Sequence, residues 1–212
     1  MGVNRVMRWM ATGPPAFAVR PSLHRAEFAI WAVRGRQGPP PHAFKEAIVK
    51  DYAARNRLET LVETGTYLGD MVWAVRHTFR EIHTIELDPS LYRRAVRRFH
   101  RSRNVHVYQG DSAEVLGGIV AALKGPALFW LDGHYSGGIT ARGELDTPIR
   151  KELSRVFASP WPHVVLIDDA SDFTGRGDYP AVDELDALLR SIRPGLVVSS
   201  SDNVIRIHQP HG

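Results

Sequence analysis

The chain has 212 residues, of which 43% are hydrophobic and 24% charged, so it can bury one sizeable core. It contains no cysteine, which excludes a disulfide framework, a thiolate metal site and a cysteine nucleophile. No run of about 18 apolar residues predicts a membrane span, and we expect a cytoplasmic protein.

The net charge of +4 is unevenly distributed along the chain. Residues 1–41 hold six arginines, no lysine and one acid, for a net charge of +5, which leaves −1 for residues 42–212. The first segment is also rich in proline and has only a short apolar patch, Phe28 to Val33. We therefore predict a basic extension over residues 1–41, flexible or loosely docked, and one domain over residues 42–212. A basic arm for an acidic partner and a targeting peptide are the alternatives.

The regular pattern begins at His42, where apolar residues recur every four positions and predict a helix. Apolar residues from Leu58 then lead into a strand that ends near Glu63. The next residues, Thr-Gly-Thr-Tyr-Leu-Gly, predict a turn, and a helix with Val72, Val75 and Phe79 on one face follows it. Of the two turn glycines, Gly65 allows a sharp bend off the strand, and Gly69 would let the helix start approach a bound molecule.

Short apolar runs predict further strands along the chain. These are Ile82 to Glu86, Val105 to Tyr108, Ala127 to Leu131, Val164 to Ile167, Leu196 to Ser199 and Val204 to Ile207. The segments between the first five strands have helical periodicity, and Asp88 with Pro89 caps and starts one of these helices. Ser200 to Asn203 predicts a hairpin turn. We therefore predict an α/β fold with a doubly wound, mostly parallel sheet and a C-terminal antiparallel hairpin.

Acidic residues follow the first three predicted strands: Glu63, Glu86, and Asp111 with its neighbour Ser112. In doubly wound sheets ligands bind beyond the carboxyl ends of the strands, and an acid after the second strand can accept hydrogen bonds from both ribose hydroxyls of a nucleoside. Each acid by itself could be an ordinary helix cap. Their recurrence at three successive strand ends favours a ligand site.

These motifs resemble those of the class I S-adenosylmethionine (SAM)-dependent methyltransferases over residues 42–212. The resemblance rests on the segment Glu63 to Gly69, the Glu86 strand end, Gly110-Asp111-Ser112 and Leu131-Asp132-Gly133. It implies a Rossmann-like sheet of seven strands in the order 3-2-1-4-5-7-6, and an enzyme that uses SAM. The spacing of Gly65 and Gly69 differs from Gly-x-Gly-x-x-Gly, which argues against a dinucleotide.

The resemblance also implies which residues hold SAM. Glu63, Gly65 and Gly69 would hold the methionine end, together with Thr66 and Tyr67 of the same turn. Glu86 would hold the ribose, and Asp111 with Ser112 the adenine. Tyr67 departs from the pattern, since many members have a glycine there. Metal-dependent sugar O-methyltransferases of the macrocin type share such a glycine-poor turn.

Acids at the ends of the fourth and fifth strands predict the acceptor side of the site. Neighbouring strands lie about 4.8 Å apart, so Asp132, Asp168 and Asp169 could converge, and oxygen ligands suit Mg²⁺. This arrangement resembles that of the macrocin type, in which a second Asp usually acts as base where this chain has His134. We therefore predict His134 and Asp132 as catalytic residues. The alternative is that the acids cap a loop and His134 makes a structural hydrogen bond.

The predicted reaction is O-methylation of a small hydroxylated acceptor, a sugar or a natural-product-like molecule, with assistance from Mg²⁺. A metal-independent methyltransferase that uses His134 alone is an alternative. The glycine-rich loops at Ser136 to Asp146 and Asp172 to Tyr179 would be its lids. Arginines between Arg93 and Arg103 suggest a nucleic-acid substrate instead, although a solvated helix face is the commoner explanation. A non-catalytic module that binds a cofactor or nucleotide is the third hypothesis. The sequence leaves the oligomeric state open, a homo-oligomer included.

Overall fold

The computed structural model describes residues 40–132 and 147–210, together with Glu27, 29–31, Val33 and Gly35. The chain divides into two units, Met1–Lys45 and Glu46–Gly212. In the first unit Trp31 is buried, and its ring centroid lies 4.9 Å from that of Phe44. The predicted boundary after residue 41 stays a prediction.

Seven strands form a single sheet in the part of the chain that the structure describes. They are β1 Thr60–Thr64, β2 Glu81–Glu86, β3 Val105–Gln109, β4 Leu128–Leu131, β5 Val164–Ile167, β6 Val197–Ser201 and β7 Val204–His208. Their order is β3-β2-β1-β4-β5-β7-β6, and β7 runs in the direction opposite to the other six. The predicted fold class and strand order are confirmed.

In the described range from residue 40 onward, six helices connect or precede these strands. They are α1 His42–Arg55, α2 Asp70–Val75, α3 Pro89–Phe99, α4 Ser112–Ala122, α5 Ile149–Phe157 and α6 Val182–Ile192, with a 3-10 turn at Ala170–Asp172. Apolar side chains of α4, α5 and α6 pack in one cluster with alternate residues of β1, β2, β4, β5 and β7. The intervening residues of β4 and β5 are buried as well. The central strands are therefore covered on both faces, as parallel strands usually are.

Asp88 caps α3 as predicted, because its carboxylate accepts hydrogen bonds from the backbone amides of Ser90 and Leu91. The predicted extent of α2 is wrong. The helix ends at Val75, whose carbonyl accepts the Thr78 amide in a turn, and Phe79 lies beyond the helix although it is buried. Its burial comes from its position just before β2, which a helical period cannot distinguish from a place on the helix.

The C-terminal hairpin is tighter than predicted. Ser200 and Ser201 belong to β6 and pair with Ile205 and Val204, so the turn consists of only two residues, Asp202 and Asn203. Both have left-handed backbone angles, with φ of 49° and 59°. Two such residues make the turn that best matches the twist of antiparallel strands. None of the helices in the described part of the chain is long and apolar enough to cross a membrane.

Candidate active site

The turn after β1 has an unusual backbone. Gly65, Tyr67 and Gly69 all have left-handed φ angles, of 80°, 48° and 76°. The amides of Gly65 and Thr66 both donate to the carbonyl of Ile85, at 3.0 and 3.1 Å, which ties the turn to the end of β2. The turn therefore lies at the carboxyl ends of β1 and β2, beside the point where the strand order reverses.

Tyr67 takes the left-handed conformation although it is not a glycine, which costs on the order of 1–3 kcal/mol. Its amide donates to Oε2 of Glu86 at 2.7 Å, so a buried carboxyl group holds the strained residue in place. The tyrosine side chain remains 46% exposed. The turn thus keeps its path without the middle glycine that many methyltransferases have.

Gly69 is required by packing against α3. A Cβ atom there would lie 2.8 and 2.9 Å from two ring carbons of Phe99, closer than side chains tolerate. The glycine therefore allows α3 to pack tightly against the turn. The expectation that Gly69 also makes room for a bound molecule stays a prediction.

Arg98 also joins α3 to the turn. Its Nη1 donates to the carbonyl of Leu68 and, at 2.8 Å, to Oδ1 of Asp70. The sequence suggested that Arg98 belongs to a solvated arginine face, and this is wrong. Arg98 follows Ala95 by three positions and is therefore close to the buried side of the helix, whereas Arg93, Arg94 and Arg97 are exposed.

Glu63 is a buried acid at the end of β1. It is 2% exposed, and its Oε2 accepts a hydrogen bond of 2.5 Å from the hydroxyl of Thr84, which also bonds to the Thr66 hydroxyl at 2.5 Å. Burial, reinforced by the negative charges of Asp132 and Glu86, raises its pKa to about 8. Glu63 is therefore mostly protonated at neutral pH, and a cation placed beside it would favour its ionised form.

Glu86 ends β2 and is 6% exposed. Its Oε1 accepts the Asp88 amide at 2.9 Å, and its Oε2 accepts the Tyr67 amide. Burial raises its pKa, while these two hydrogen bonds oppose the shift. Each carboxylate oxygen can accept more than one hydrogen bond, so the geometry still suits a pair of ligand hydroxyls.

Asp111 caps α4, since its Oδ1 accepts the Ala113 amide at 2.8 Å. This is the helix-cap arrangement that the sequence left open. Ser112 is the first residue of α4 and is 9% exposed. The adenine-binding role of both residues stays a prediction.

Three carboxyl groups meet at the ends of β4 and β5. One oxygen from each of Asp132, Asp168 and Asp169 lies within 4.8 Å of the others. The amides of Asp132 and Asp168 donate to the Thr64 and Leu131 carbonyls at 3.1 and 3.0 Å, which continues the ladder past the strand ends. Three oxygen donors at this spacing suit a hard cation such as Mg²⁺.

Asn203 supports this cluster from the C-terminal hairpin. Its Nδ2 donates to Oδ1 of Asp169 at 3.0 Å, and its Oδ1 accepts the Ser171 amide at 2.8 Å. Asp169 itself has a left-handed φ of 51°. The sequence pattern predicts Asn203 only as a residue of the hairpin turn, because the pairing of β5 with β7 is what brings that turn beside this loop.

Glu152 is a second residue that sequence reasoning missed. It is 1% exposed, and burial, with the charge of Asp111 adding to it, raises its pKa to about 7, although the Ser112 and Thr64 hydroxyls favour its ionised form. Glu152 follows Ile149 by three positions, so it lies on the inner face of α5. The sequence signal that could have identified Glu152 is an acidic residue on a helix face that is otherwise apolar.

His134 and the loop from Ser136 to Asp146 lie outside the described residues. The other proposed lid, Asp172 to Tyr179, contains two glycines with left-handed angles, Gly175 and Gly177. The rings of Phe173 and Tyr179 are in edge-to-face contact across it, with centroids 5.6 Å apart.

No protein-family model and no curated protein sequence matches the chain. Solved structures do resemble it. TomG, an O-methyltransferase from Streptomyces achromogenes involved in tomaymycin synthesis and solved with SAM, has a TM-score of 0.57 and 14% identity, covering 85% of this chain and 87% of that chain. An O-methyltransferase from Bacillus cereus, solved with SAH, has a TM-score of 0.58 and 11% identity, covering 89% and 91%.

An O-methyltransferase family protein from Burkholderia thailandensis is longer. It has a TM-score of 0.52 and 14% identity, and the match covers 79% of this chain but 56% of that chain. At these identities the likeness shows the fold alone, which is the fold that these methyltransferases share.

Proposed function

We propose that this chain, which has the fold of the class I SAM-dependent methyltransferases, transfers the methyl group of SAM to a hydroxyl oxygen of a small molecule. The observation that carries the proposal is the meeting of the left-handed turn with two buried carboxyl groups, Glu63 and Glu86, at the ends of β1 and β2. A buried acid is costly unless a partner satisfies it, and SAM has an ammonium group and two ribose hydroxyls to offer.

Each of these residues has a proposed role toward SAM. Glu63 receives the ammonium group of the methionine end, because a cation at that place removes the cost of ionising a fully buried acid. Gly65, Thr66, Tyr67 and Gly69 shape the turn along the methionine part. Glu86 accepts the ribose hydroxyls.

Asp111 and Ser112, at the start of α4, face the adenine in this proposal. One carboxylate oxygen of Asp111 caps the helix, and the second oxygen is the candidate ligand to the adenine base. A role in capping and a role in binding are compatible for one carboxylate, since each oxygen accepts separately.

The acceptor side is formed by Asp132, Asp168 and Asp169. They would hold Mg²⁺, whose preferred ligands are oxygens, and the bound ion would orient acceptor oxygens and favour an ionised hydroxyl. The sequence hypothesis that His134 removes the hydroxyl proton, with Asp132 as its neighbouring carboxylate, is kept as part of the proposal.

The reaction is a displacement at carbon. The acceptor oxygen attacks the SAM methyl group, the bond from that carbon to sulfur breaks, and sulfur leaves as a neutral thioether while the hydroxyl proton passes to the base. Because the sulfonium is already activated, the protein contributes mainly by aligning oxygen, carbon and sulfur. A small acceptor can be aligned in this way.

Calorimetric titration with SAM and with SAH tests the cofactor part. We expect both to bind, and Glu86→Ala to weaken SAM at least about tenfold, since it removes a charged acceptor of hydroxyl hydrogen bonds worth about 1.5–3 kcal/mol each. Glu81→Ala is the matched control, because Glu81 is an exposed acid on the same strand. Unchanged affinity in Glu86→Ala would sink the ribose assignment.

The methyl-transfer part is tested with a panel of hydroxylated acceptors, with Mg²⁺ and with a chelator. Transfer that persists in the chelator would replace the metal-assisted reaction by a metal-independent one. Binding of SAM without transfer to any hydroxyl compound would favour a cofactor-binding module.

A further inference from the structure

The outer side of α3 and the turn that follows it carry a concentrated positive charge. From residue 89 to residue 110 the chain contains six arginines and no aspartate, glutamate or lysine. Arg98 is one of the six, and it contacts the turn after β1. The other five are exposed and form what we call the arginine surface: Arg93, Arg94, Arg97, Arg101 and Arg103.

Four members of the arginine surface form no ion pair in the described part of the chain, and the fifth, Arg93, has Asp88 as its neighbouring acid. Exposed arginines on other helices do form such pairs. Arg55 of α1, Arg150 of α5 and Arg190 of α6 lie 2.8, 2.6 and 2.8 Å from a carboxylate oxygen. The arginine surface therefore lacks a partner that other parts of the molecule supply.

The spacing of the arginines keeps their charges close together. Arg93 and Arg97 are four positions apart on α3, and Arg94 and Arg97 are three apart, so their side chains are neighbours on the helix. Like charges at these spacings destabilise a helix. An anion that binds across them removes the repulsion and stabilises the folded chain by mass action. The arrangement favours a ligand with several negative charges.

The type of basic residue indicates what those charges are. The planar guanidinium group of arginine donates two parallel hydrogen bonds to phosphate, which makes arginine the preferred side chain for phosphate recognition. A nucleic-acid duplex carries one phosphate charge per about 1.7 Å of its axis, so several arginines can each bind a phosphate of one molecule. A single free phosphate cannot reach arginines distributed over a helix and the turn after it.

The apolar residues of α3 argue against two other polyanions. Among the exposed large hydrophobic residues of the described chain, only Val96 belongs to α3, and Tyr92 is half-buried. A helix that binds an anionic membrane has several large apolar residues beside its basic ones. A site for single strands has aromatic rings on which the bases stack. Because α3 exposes neither, a duplex that is bound through its phosphates fits best.

We propose that the arginine surface binds the phosphate backbone of a nucleic-acid duplex without reading its base sequence. The inference goes beyond the proposed methyl transfer and does not rest on it, because none of the five arginines belongs to the proposed SAM or metal site. The duplex lies on the outer side of α3, whereas Arg98 and Phe99 contact the turn after β1.

Fluorescence anisotropy with labelled DNA and RNA duplexes of about 20 base pairs tests the proposal on the full chain at about 50 mM salt. We expect binding that weakens steeply with salt, since each bound phosphate adds about 0.9 to the slope of log Kd against log salt concentration. Two DNA duplexes of unrelated sequence should bind equally. No binding of any duplex, or a preference of about tenfold or more for one DNA sequence, would overturn the proposal.

The α3 variant, in which Arg94→Gln, Arg97→Gln and Arg101→Gln are combined, removes three charges and keeps side chains of good helix propensity. We expect its affinity for the duplex to fall at least about tenfold, and its salt slope to fall by about 2 to 3, because three phosphate contacts are lost. An affinity and a slope equal to those of the parent contradict the proposal.

The matched control combines Arg55→Gln, Arg155→Gln and Arg190→Gln, which removes three exposed helical arginines from other parts of the molecule. Its affinity should change less than about threefold, because the lost charges contact no phosphate. Equal weakening of the two triple variants would assign the binding to net charge and overturn the proposal. The control also keeps residues 1–41 intact, so any binding by their arginines is the same in both variants.

The α3 variant should melt no lower than the parent, because it removes repulsion between like charges. If it does melt far lower, Arg101→Gln with Arg103→Gln replaces it, since both residues lie beyond the end of α3. This double variant should weaken duplex binding at least about threefold, and an unchanged affinity would reject the proposal.

Vesicles that contain phosphatidylserine provide the comparison with a membrane. Sedimentation of the parent with these vesicles, lost in the α3 variant and without binding to any duplex, would reject the proposal in favour of a lipid surface. Calorimetry with SAH on the same samples should give equal affinities for the parent and the α3 variant. SAH binding without duplex binding rejects this inference alone, and duplex binding without SAH binding rejects the proposed function alone.

Discussion

At the scale of single residues, burial determines whether an acidic side chain of this protein is ionised. Glu63 is the clearest case, because it is enclosed with two other acids, Asp132 and Glu86, nearby. Its neutral form is the stable one in the free protein at neutral pH. A nearby cation favours the ionised form of Glu63, which can then bind an ammonium group. Its position at the turn therefore suits the methionine end of SAM.

The stability of the free protein should therefore depend on the ionisation of Glu63. Its pKa is about 8 in the folded protein and 4.5 by default, so the folded state holds a proton that the unfolded chain loses between these values. The resulting stabilisation is complete below about pH 4.5 and is lost as the pH rises toward about 8. Glu63→Gln, which cannot ionise, should gain stability relative to the parent over this range, by up to a few kcal/mol.

Melting curves from pH 5 to pH 9 measure this difference. Glu59→Gln, at an exposed acid just before β1, is the control and should follow the parent at every pH. A constant difference between Glu63→Gln and the parent would show that Glu63 does not titrate in this range.

At the scale of elements, α3 acts as a support for the turn after β1. Two ring carbons of Phe99 lie 2.8 and 2.9 Å from the position that a Cβ on Gly69 would take, and Arg98 bonds to the Leu68 carbonyl and to Asp70. The helix is itself held at its start by the Asp88 cap, close to Glu86. The two ends of α3 thus contact both parts of the proposed SAM site.

Arg98→Met should weaken SAM by about tenfold while the protein stays folded. The change removes charge-assisted hydrogen bonds that fix the turn, each worth about 1.5–3 kcal/mol, and only part of that loss appears in ligand affinity. Calorimetry compares it with Arg97→Met, an exposed neighbour on the same helix. Equal SAM affinity in the two variants would mean that the turn holds its shape without Arg98.

The C-terminal hairpin has a similar supporting role for the acid cluster, through the bond from Asn203 to Asp169. If the cluster binds a divalent cation, Mg²⁺ should raise the melting temperature, because it relieves repulsion among three carboxylates and binds only the folded state. Asp168→Asn should abolish the rise and leave SAM affinity nearly unchanged.

The control for this prediction is Asp172→Asn, at an exposed acid in the 3-10 turn, which should keep the full Mg²⁺ effect. A melting temperature that neither Mg²⁺ nor Mn²⁺ moves, with SAH bound, would remove the metal from the proposed reaction.

At the scale of the whole molecule, the regular alternation of strands and helices begins at His42 among the residues that the structure describes. A chain that begins at Pro41 should melt cooperatively near the full-length temperature, because the preceding residues offer little apolar surface to bury. Scanning calorimetry of both chains checks this. A much lower melting temperature for the shorter chain would place Trp31, with its ring contact to Phe44, in the folded domain.

The fold class could be predicted from the amino-acid sequence, and so could the acidic residues that follow the ends of the strands. Both depend on local properties: the period of apolar residues, the cap at Asp88, the glycines of the turn and the short hairpin segment are readable within a few positions. The family resemblance then supplied the strand order and the roles expected of Glu63 and Glu86.

The contacts between distant residues that support the site follow from the packing of the folded chain. Gly69 and Phe99, Asn203 and Asp169, and Glu152 with Thr64 are each separated by at least thirty residues, and no local pattern links them. Their contacts follow from how helices pack on the sheet and how β7 inserts beside β5. Burial, which raises the pKa values of Glu63 and Glu152, is likewise a property of the assembled layers and not of the chain alone.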